Sequence, residues 1–443
     1  MGRPGAATET IFALASGPGR AGVAVVRVSG PAARFCVQSL TRKPPPPPRR
    51  AVVRRLRSGS GEIFDRGLVL WFPAPDSLTG EDVAEFQVHG GRAVLAALSE
   101  ALAAIPGVRT ANPGEFTRRS VEHGRIDLTQ AEAIADLVEA ETEAQRRQAL
   151  RQFDGALSER TDGWRSELAK ALAWAEAAID FSDEDLPGDV VADARQAAAV
   201  VRDAIAVHLD DARRGELVRE GLFVAVIGPP NAGKSSLVNA LAGRDVAIVA
   251  ETAGTTRDVI EVRLNLGGYA VVLADTAGLR AAADSIEAEG VRRALHRAEC
   301  ADLVVLLKDG TRPDIPLAGK DKWDNKTVVS IWNKADLAWP EAQDGLRLSL
   351  KTGEGLDAVV AAITAAARVK LDGGGEAPLI TRARHREALK QALSALDRAA
   401  TQPVPELFAE DLRLAVRAIG RIAGRVDVED LLDVIFRDFC IGK

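Results

Sequence analysis

The chain has 443 residues, of which 47% are hydrophobic and 27% charged, and its formal net charge is −6. This composition is typical of a soluble protein with roughly two to four domains. Because the net charge is negative, the protein as a whole does not attract nucleic acid electrostatically, and any RNA contact would need a local basic patch. The three cysteines are widely spaced and odd in number, which argues against a disulfide framework or metal cluster and favours a reducing compartment. Without a signal-like N-terminus or a run of about 18 apolar residues, we expect a cytoplasmic protein.

Strands alternate with short helices in the first part of the chain. Apolar runs predict strands at residues 22–28 and 68–72, and an alanine- and leucine-rich run predicts a helix at residues 92–105. The five prolines at 44–48 are typical of a stiff surface spacer, more often a loop than a ligand for an aromatic groove. The sequence therefore predicts a compact N-terminal α/β domain over residues 1–120.

Helical periodicity begins at Asp127, which with Gln130 forms a capping-box-like start, and it continues to about residue 179. The acidic run 180–187 is interpreted as a solvated loop rather than a cation site. Further helices are predicted at residues 190–214, 381–400, 407–419 and 428–439.

A nucleotide-binding domain is predicted between these helices. Its clearest apolar runs alternate with helical segments, which predicts a doubly wound, mostly parallel sheet with ligand loops at the strand ends. Because helices flank this unit on both sides, we infer one helical domain into which it is inserted. The predicted strands are 222–227, 270–273, 303–307 and 328–331. The remaining predicted domains are residues 121–215 (first helical part), 216–372 (nucleotide domain) and 373–443 (second helical part, entered through a flexible glycine run).

Residues 222–236 read L-F-V-A-V-I-G-P-P-N-A-G-K-S-S. Within them, Gly228, Gly233, Lys234 and Ser235 fill the pattern G-x-x-x-x-G-K-[ST] between a strand and a helix. In that context backbone N–H groups surround an anion, Lys234 reaches the β- and γ-phosphates, and the Ser235 hydroxyl ligates Mg²⁺. An ordinary glycine turn is the alternative. The predicted phosphate-binding residues are Asn231, Ala232, Gly233, Lys234, Ser235 and Ser236.

The motif N-K-A-D, which begins at Asn333, follows a predicted strand. The carboxylate of Asp336 can accept hydrogen bonds from N1–H and the 2-amino group of guanine. Adenine offers neither donor, so such a site discriminates by roughly 10⁴–10⁵. Asn333 and the stem of Lys334 would hold this loop against the base and the phosphate loop. The triplet S-L-K that begins at Ser349 fits a backbone loop that caps guanine O6, so the nucleotide is predicted to be GTP.

Two further motifs predict contacts with the γ-phosphate and Mg²⁺. In D-T-A-G, Asp275 would hold Mg²⁺ through water and the Gly278 N–H would sense the γ-phosphate. In the upstream G-T-T-R-D, which includes Thr255, Thr256 can offer its hydroxyl oxygen to Mg²⁺ and its N–H to the γ-phosphate. Each motif alone could be a turn, but four motifs in the required order favour a GTPase.

Leu279 departs from the small-GTPase pattern, because it stands where a water-orienting glutamine would be expected. An apolar side chain cannot orient water. Another polar group must do so, or catalysis is poor. The candidates on the following segment are Arg280, Asp284 and Glu287.

Taken together, these motifs resemble the MnmE (TrmE) family of tRNA uridine 5-carboxymethylaminomethyl modification GTPases, and the likeness covers the whole chain. Guanine-nucleotide motifs occur in many GTPases, whereas N-terminal segments and the C-terminal tail make the resemblance specific. These segments are T-G-E-D from Thr79, H-G-G from His89, P-G-E-F from Pro113 and F-C-I-G-K from Phe439.

The resemblance implies that two nucleotide domains pair across a potassium ion, which supplies positive charge beside the β–γ bridge. The matching ligands are the side-chain oxygen of Asn231 and the backbone carbonyls of Ala250 and Thr252. The family's water-positioning acid falls on Glu287, which the residues alone would favour as a solvated helix residue.

The resemblance also implies that the N-terminal domain binds a tetrahydrofolate derivative (5-formyl or 5,10-methylene) and forms a constitutive homodimer. The matching residues are Arg27, Glu85, Arg125 and Lys443. The family typically has lysine where this chain has Arg125, so a bidentate fork replaces a point charge. Cys440 matches the cysteine of the family tail and is a candidate catalytic residue, with packing in the last helix as the alternative.

The implied function is that of a homodimeric GTPase. It would form a heterotetramer with a flavin-dependent partner of the MnmG (GidA) type and modify C5 of the tRNA wobble uridine with a folate one-carbon unit. Lys234 and Glu287 would carry the GTPase step. One alternative is an RNA-binding regulatory GTPase of the ribosome-assembly type, which would need an RNA module such as a KH domain; the sequence has no recognisable one. A scaffold that binds GTP without turnover is the third reading.

Overall fold

The structure is a computed structural model that describes residues 9–181, 189–244, 261–275, 296–313, 325–338, 344–372 and 377–426, together with residues 248, 323, 432, 435, 436, 439 and 442. The chain divides into two compact units. The first comprises Met1–Ala135 and Ile419–Lys443, and the second comprises Asp136–Ala418. The four domain boundaries inferred from the sequence stay a prediction.

The first unit is built on one sheet with helices. Its sheet has the order β3-β4-β5-β2-β1-β6, and its neighbours are antiparallel except for the parallel pair β1–β6. The elements are β1 (Thr10–Leu14), β2 (Ala24–Ser29), α1 (Ala33–Thr41), β3 (Val52–Arg57), β4 (Ile63–Phe72), β5 (Val83–Val88), α2 (Arg92–Ala103), β6 (Val108–Thr110), α3 (Glu115–Glu122) and α4 (Leu128–Glu139), whose last residues belong to the second unit.

The core of the first unit lies between this sheet and the helices α1 and α2. Fully buried Leu56, Phe86 and Leu98 come from β3, β5 and α2 and pack in one hydrophobic cluster. The predicted helix at 92–105 is confirmed as α2, and the predicted strand at 68–72 is the second half of the longer β4. The proline run is not part of any helix or strand, in agreement with the predicted loop.

The helical part that follows is interrupted twice, where the sequence pattern suggested continuous helical character. Thr142 starts α5 with a capping box, in which its side chain accepts from the N–H of Gln145 and Gln145 accepts from the N–H of Thr142. Gly155, in a left-handed conformation (φ 97°), begins α6. The predicted helix 190–214 ends earlier, at Leu209, with Asp210 as its C-cap, and the positive φ of Ala212 and Arg213 separates it from the next helix. The helices are α5 (Glu143–Phe153), α6 (Ala156–Asp180), α7 (Val190–Leu209) and α8 (Arg214–Glu220).

The nucleotide domain confirms the predicted doubly wound, mostly parallel sheet. Its order is β12-β11-β10-β7-β9-β8, and all neighbours are parallel except the hairpin β8–β9. Its elements are β7 (Leu222–Ile227), α9 (Lys234–Ala242), β8 (Glu261–Leu266), β9 (Tyr269–Asp275), β10 (Leu303–Asp309), β11 (Thr327–Asn333), β12 (Leu346–Arg347) and α10 (Leu356–Asp372).

The central strands are apolar because both faces of a parallel sheet are covered. Val224 of β7, Val305 of β10 and Val271 of β9 are fully buried, and β7 and β10 are buried along almost their whole length.

Within residues 377–426, the helices are α11 (Ala383–Thr401) and α12 (Pro405–Gly420), close to the predicted helices 381–400 and 407–419. The predicted helix 428–439 falls largely outside the described residues. No helix in the described ranges combines the length and apolar character that crossing a membrane requires.

Candidate functional site

The loop between β7 and α9 approaches its neighbours too closely for side chains at its two pattern glycines. A Cβ at Gly228 would lie 2.0 Å from the carbonyl oxygen of Leu307 in β10. Gly233 begins α9 with a left-handed φ of 102°, and a Cβ there would lie 2.6 Å from Nδ2 of Asn333. The glycines therefore allow close backbone approach as well as the turn.

Lys234 and Ser235 lie in the first turn of α9, where backbone N–H groups have no partner within the helix. The Lys234 ammonium donates to the carbonyl oxygens of Gly228 and Pro229 at 3.0 and 2.9 Å, so it lies over the loop. Ser235 is half-buried, and Asn231 and Ser236 are exposed. This combination of helix N-terminus, ammonium group and hydroxyl is suited to a phosphate with its magnesium ion.

Asn333 joins three loops at one side chain. Its amide Nδ2 donates to the carbonyl of Ala232 at 2.7 Å, and its Oδ1 accepts from the N–H of Leu350 at 3.2 Å. Asn333 is only 5% exposed, so these bonds are shielded from competition with water. The amide therefore fixes the N-K-A-D loop to the phosphate loop on one side and to the S-L-K triplet on the other.

The carboxylate of Asp336 is oriented by Ser349. The buried Ser349 hydroxyl donates to Oδ1 of Asp336 at 2.7 Å and accepts from the N–H of Thr352 at 3.2 Å. Asp336 itself is exposed, which leaves its carboxylate accessible to donors from a ligand. An accepting group next to the phosphate loop is the chemistry that recognition of guanine requires.

Lys334 is held by Asp309, a residue that the sequence analysis did not single out. Its ammonium contacts Oδ2 of Asp309 at 2.6 Å, and the Thr311 hydroxyl donates to the other carboxylate oxygen at 2.6 Å. Burial alone would raise the pKa of Asp309, but the hydrogen bonds from Lys334 and Thr311 outweigh it and hold that pKa below its ordinary value. Asp309 ends β10, and that position at the end of a parallel strand was the available signal.

The backbone of Asp275 ends β9 opposite Val226 of β7, so the D-T-A-G motif starts beside the phosphate loop. The side chain of Asp275 is outside the description. The other predicted residues that lie outside the described residues are Ala250, Thr252, Thr255, Thr256, Gly278, Glu287, Cys440 and Lys443.

In the first unit, Arg27 and Glu85 are direct cross-strand partners on β2 and β5. Nε of Arg27 donates to Oε1 of Glu85 at 3.0 Å, and the guanidinium lies over the ring of Phe116, 5.7 Å from its centroid. The two side chains retain 21% and 18% exposure. The pair is thus ordered but still reachable from solvent.

The T-G-E-D segment packs against the end of α3. A Cβ at Gly80 would lie 3.1 Å from Cβ of His123 and 3.4 Å from Cγ of Arg125. Glu81 accepts from Ser29 at 2.7 Å and from Arg119 at 3.0 Å. Arg125 is therefore near this segment but exposed. Arg119 was missed by the sequence analysis, because nothing in a sequence distinguishes a buried arginine from the more exposed ones near it.

Two glycines allow the C-terminal tail to approach the rest of the first unit closely. Gly114 of P-G-E-F begins α3 at φ 67°, and a Cβ there would lie 2.9 Å from Cβ of Phe439. Gly442 in the tail has φ 101°, and a Cβ there would lie 2.0 Å from the carbonyl oxygen of Leu14. The beginning and the end of F-C-I-G-K therefore contact α3 and β1, respectively.

Comparison with known proteins identifies the family. A family model described as the MnmE helical domain matches residues 128–440, and one described as the GTP-binding protein TrmE N-terminus matches residues 10–125. The chain belongs to the MnmE family of tRNA modification GTPases. Among the similar proteins, three examples that carry the name tRNA modification GTPase MnmE come from different bacteria. The protein of Parvibaculum lavamentivorans is 54% identical to this chain, and the match covers 98% of this chain and 100% of the relative. The protein of Rhodospirillum rubrum is 55% identical, with 98% of this chain and 99% of the relative covered. The protein of Paramagnetospirillum magneticum is 54% identical, with 98% of this chain and 100% of the relative covered.

Proposed function

We propose that this GTPase acts on the wobble uridine of tRNA and installs a carboxymethylaminomethyl-type group at C5, together with a flavin-dependent partner of the MnmG type. Family membership supports tRNA as the substrate. The single structural observation that carries nucleotide recognition is the Asn333 amide, which links the phosphate loop to the loop that presents Asp336.

GTP hydrolysis proceeds by direct attack of water on the γ-phosphorus, with cleavage of the bond to the β–γ bridging oxygen and release of GDP and phosphate. Lys234 stabilises the charge that develops on the phosphate oxygens, and Glu287 orients the water. Ser235, Thr256 and Asp275 would hold Mg²⁺, whose chemistry is to offset phosphate charge. Asn231, with the carbonyls of Ala250 and Thr252, would hold K⁺ between paired nucleotide domains.

The N-terminal domain binds a tetrahydrofolate derivative as the source of the one-carbon unit and mediates homodimerisation. The donor set is suited to this ligand, because a guanidinium binds the carboxylates of a folate tail and a carboxylate accepts from pterin N–H groups. Arg27, Glu85, Arg125 and Lys443 would form the site, and Cys440 takes part in the modification step. A ribosome-assembly GTPase, the alternative function, would show no folate binding by calorimetry.

The substitution Asp336→Asn tests whether the Asp336 carboxylate recognises the guanine base. Replacing an accepting oxygen by a donating amide faces the 2-amino group or N1–H of guanine with another donor, so we expect GTP affinity to fall at least roughly a hundredfold. Ser349 can still donate to the remaining oxygen, so folding is expected to persist. The measurement is titration of GTP and GDP by calorimetry, with thermal unfolding as the fold check.

The matched control is Asp344→Asn, which changes an exposed acid on a neighbouring loop and should leave GTP affinity unchanged. Unaltered GTP affinity in the folded Asp336→Asn variant would exclude Asp336 as the base reader.

A further inference from the structure

The segment from Arg42 to Arg66 is strongly basic in an acidic chain. It contains eight lysine and arginine residues and two acidic residues, a local net charge of +6, whereas the whole chain has −6. None of these eight basic side chains forms an ion pair within the part of the chain that the structure describes. The charge of this segment is therefore not neutralised by the described residues of its own chain.

The strand pairing concentrates this charge instead of dispersing it. Arg55 on β3 lies directly opposite Arg66 on β4, and both side chains are exposed. Like charges at directly opposed positions destabilise a sheet. Arg57 comes two residues after Arg55 on β3, beyond a register shift in the ladder, and lies opposite Ile63 of β4. An anion bound at Arg55 and Arg66 would offset the electrostatic repulsion between them.

The acidic residue next to Arg66 in the chain is already occupied. Asp65 accepts from the N–H of His89 at 2.9 Å and contacts its Nδ1 at 2.7 Å. Its carboxylate also accepts the backbone N–H of Arg66, at 2.7 Å, rather than pairing with that guanidinium. Asp65 therefore holds His89 at the start of the H-G-G segment and does not pair with the arginines.

The basic side chains surround a cavity at the edge of the sheet. β3 is the edge strand, and Lys43, Arg54, Arg55, Arg57 and Arg66 line a cavity of about 310 Å³ beside it. The Nε atom of Arg54 is buried without a hydrogen-bond partner among the described residues. Arginine presents a fork of donors that matches phosphate oxygens.

We propose that this surface, formed by Lys43, Arg54, Arg55, Arg57 and Arg66, binds the phosphate backbone of RNA. The arginines follow a strand edge, which suits a chain of successive phosphates better than one small anion. The acidic remainder of the molecule would oppose an extended anionic membrane, whereas an RNA backbone can be contacted locally. The proposal rests on the proposed function, in which tRNA is the substrate.

The test is the double substitution Arg55→Gln and Arg66→Gln in the full chain, with an unmodified tRNA transcript as the probe. Loss of two phosphate contacts should reduce the slope of log affinity against log salt by about 1.5 and weaken binding roughly tenfold or more at 0.1 M salt. Because the substitutions remove a repulsive pair, the thermal unfolding midpoint should stay the same or rise.

The control is the double substitution Arg118→Gln and Arg413→Gln, which removes the same charge from exposed ion pairs elsewhere and should leave the salt slope unchanged. If the parent protein binds no tRNA, the proposed function fails. If the parent binds and the Arg55/Arg66 variant has the same affinity and slope, the function stands and the inference is wrong. Two further results for the Arg55/Arg66 variant would also overturn the inference. One is loss of binding to anionic-lipid vesicles with unchanged tRNA binding. The other is aggregation with unchanged tRNA affinity, which would indicate that the arginines only keep the edge strand from pairing with other chains.

Discussion

Arg119 is a buried arginine that links two acidic side chains of the first unit. It is 4% exposed and donates to both Glu81 and Glu115 at 3.0 Å. Glu115 also accepts a bidentate pair of bonds from Arg109, at 2.7 and 2.8 Å. A buried charge without its partner costs several kcal/mol, so the stability of this network depends on every member remaining ionised.

The ionisation of Glu115 leads to a pH prediction. Burial alone would raise its pKa, but hydrogen bonds from Arg109, the Asn112 N–H and Arg119 lower that pKa from 4.5 to about 2. Because the pKa is lower in the folded than in the unfolded protein, this stabilisation is complete above pH 4.5 and is lost as the pH falls towards about 2.

We therefore expect Glu115→Gln to destabilise the first unit by roughly 3 kcal/mol at neutral pH, the lower end for removal of one partner of a buried ion pair. The difference from the parent protein should shrink as the pH is lowered below 4.5, as measured by calorimetric unfolding. Glu122→Gln, which removes an exposed partner of Arg118, should cost about 0.5 kcal/mol or less. A difference that did not depend on pH would contradict the ionisation argument.

At the scale of the element, the strand–loop–helix unit from β7 to α9 is fixed by contacts with its neighbours as much as by its own sequence. The Leu307 carbonyl on β10 lies against Gly228, and the side chain of Asn333 lies against Gly233. The phosphate loop therefore has little room to relax, and substitutions there should act by displacing it from the sheet.

Gly228→Ala tests this contact. Its added Cβ would lie 2.0 Å from a backbone oxygen, which cannot rotate away, so we expect GTP binding to be lost and the domain to be destabilised by at least about 2 kcal/mol. Gly243→Ala, at the other end of α9, is the matched control, because its Cβ would meet its nearest atom at an ordinary 3.4 Å. Calorimetric GTP titration and thermal unfolding measure both. Equal behaviour of the two variants would show that the loop is not constrained by β10.

At the scale of the whole molecule, α5 contacts both connections to the nucleotide domain. Gln148 and Gln145 donate to the carbonyls of Gly215 and Arg219 at 2.8 and 3.0 Å, on the segment that enters the domain. Gln152 accepts from the Thr381 hydroxyl at 2.7 Å, on the segment that returns from it. All three glutamines are buried, so α5 fixes both connections to the nucleotide domain.

The proposed pairing of nucleotide domains across potassium is also a prediction at this scale. We expect GTP hydrolysis to be roughly tenfold or more faster in KCl than in NaCl of equal ionic strength, because a positive charge at this position is worth roughly 10³–10⁵ in other GTPases. Asn231→Ala should abolish the difference. Asn239→Ala, an exposed asparagine on α9, should retain it. Equal rates in the two salts for the parent protein would remove the cation from the mechanism.

The sequence by itself determined the family, the order of the motifs and the mostly parallel sheet, because these depend on local patterns: apolar runs of strand length, glycines at fixed spacing and capping residues such as Asp127. It could not show that Asp309 pairs with Lys334 or that Arg119 pairs with Glu81. Nor could it show that Arg55 lies opposite Arg66. Those depend on which strands become neighbours and in which register, and strand pairing joins residues far apart in the chain. Only the tertiary structure decided which charges are buried, which are neutralised and which remain available to a ligand.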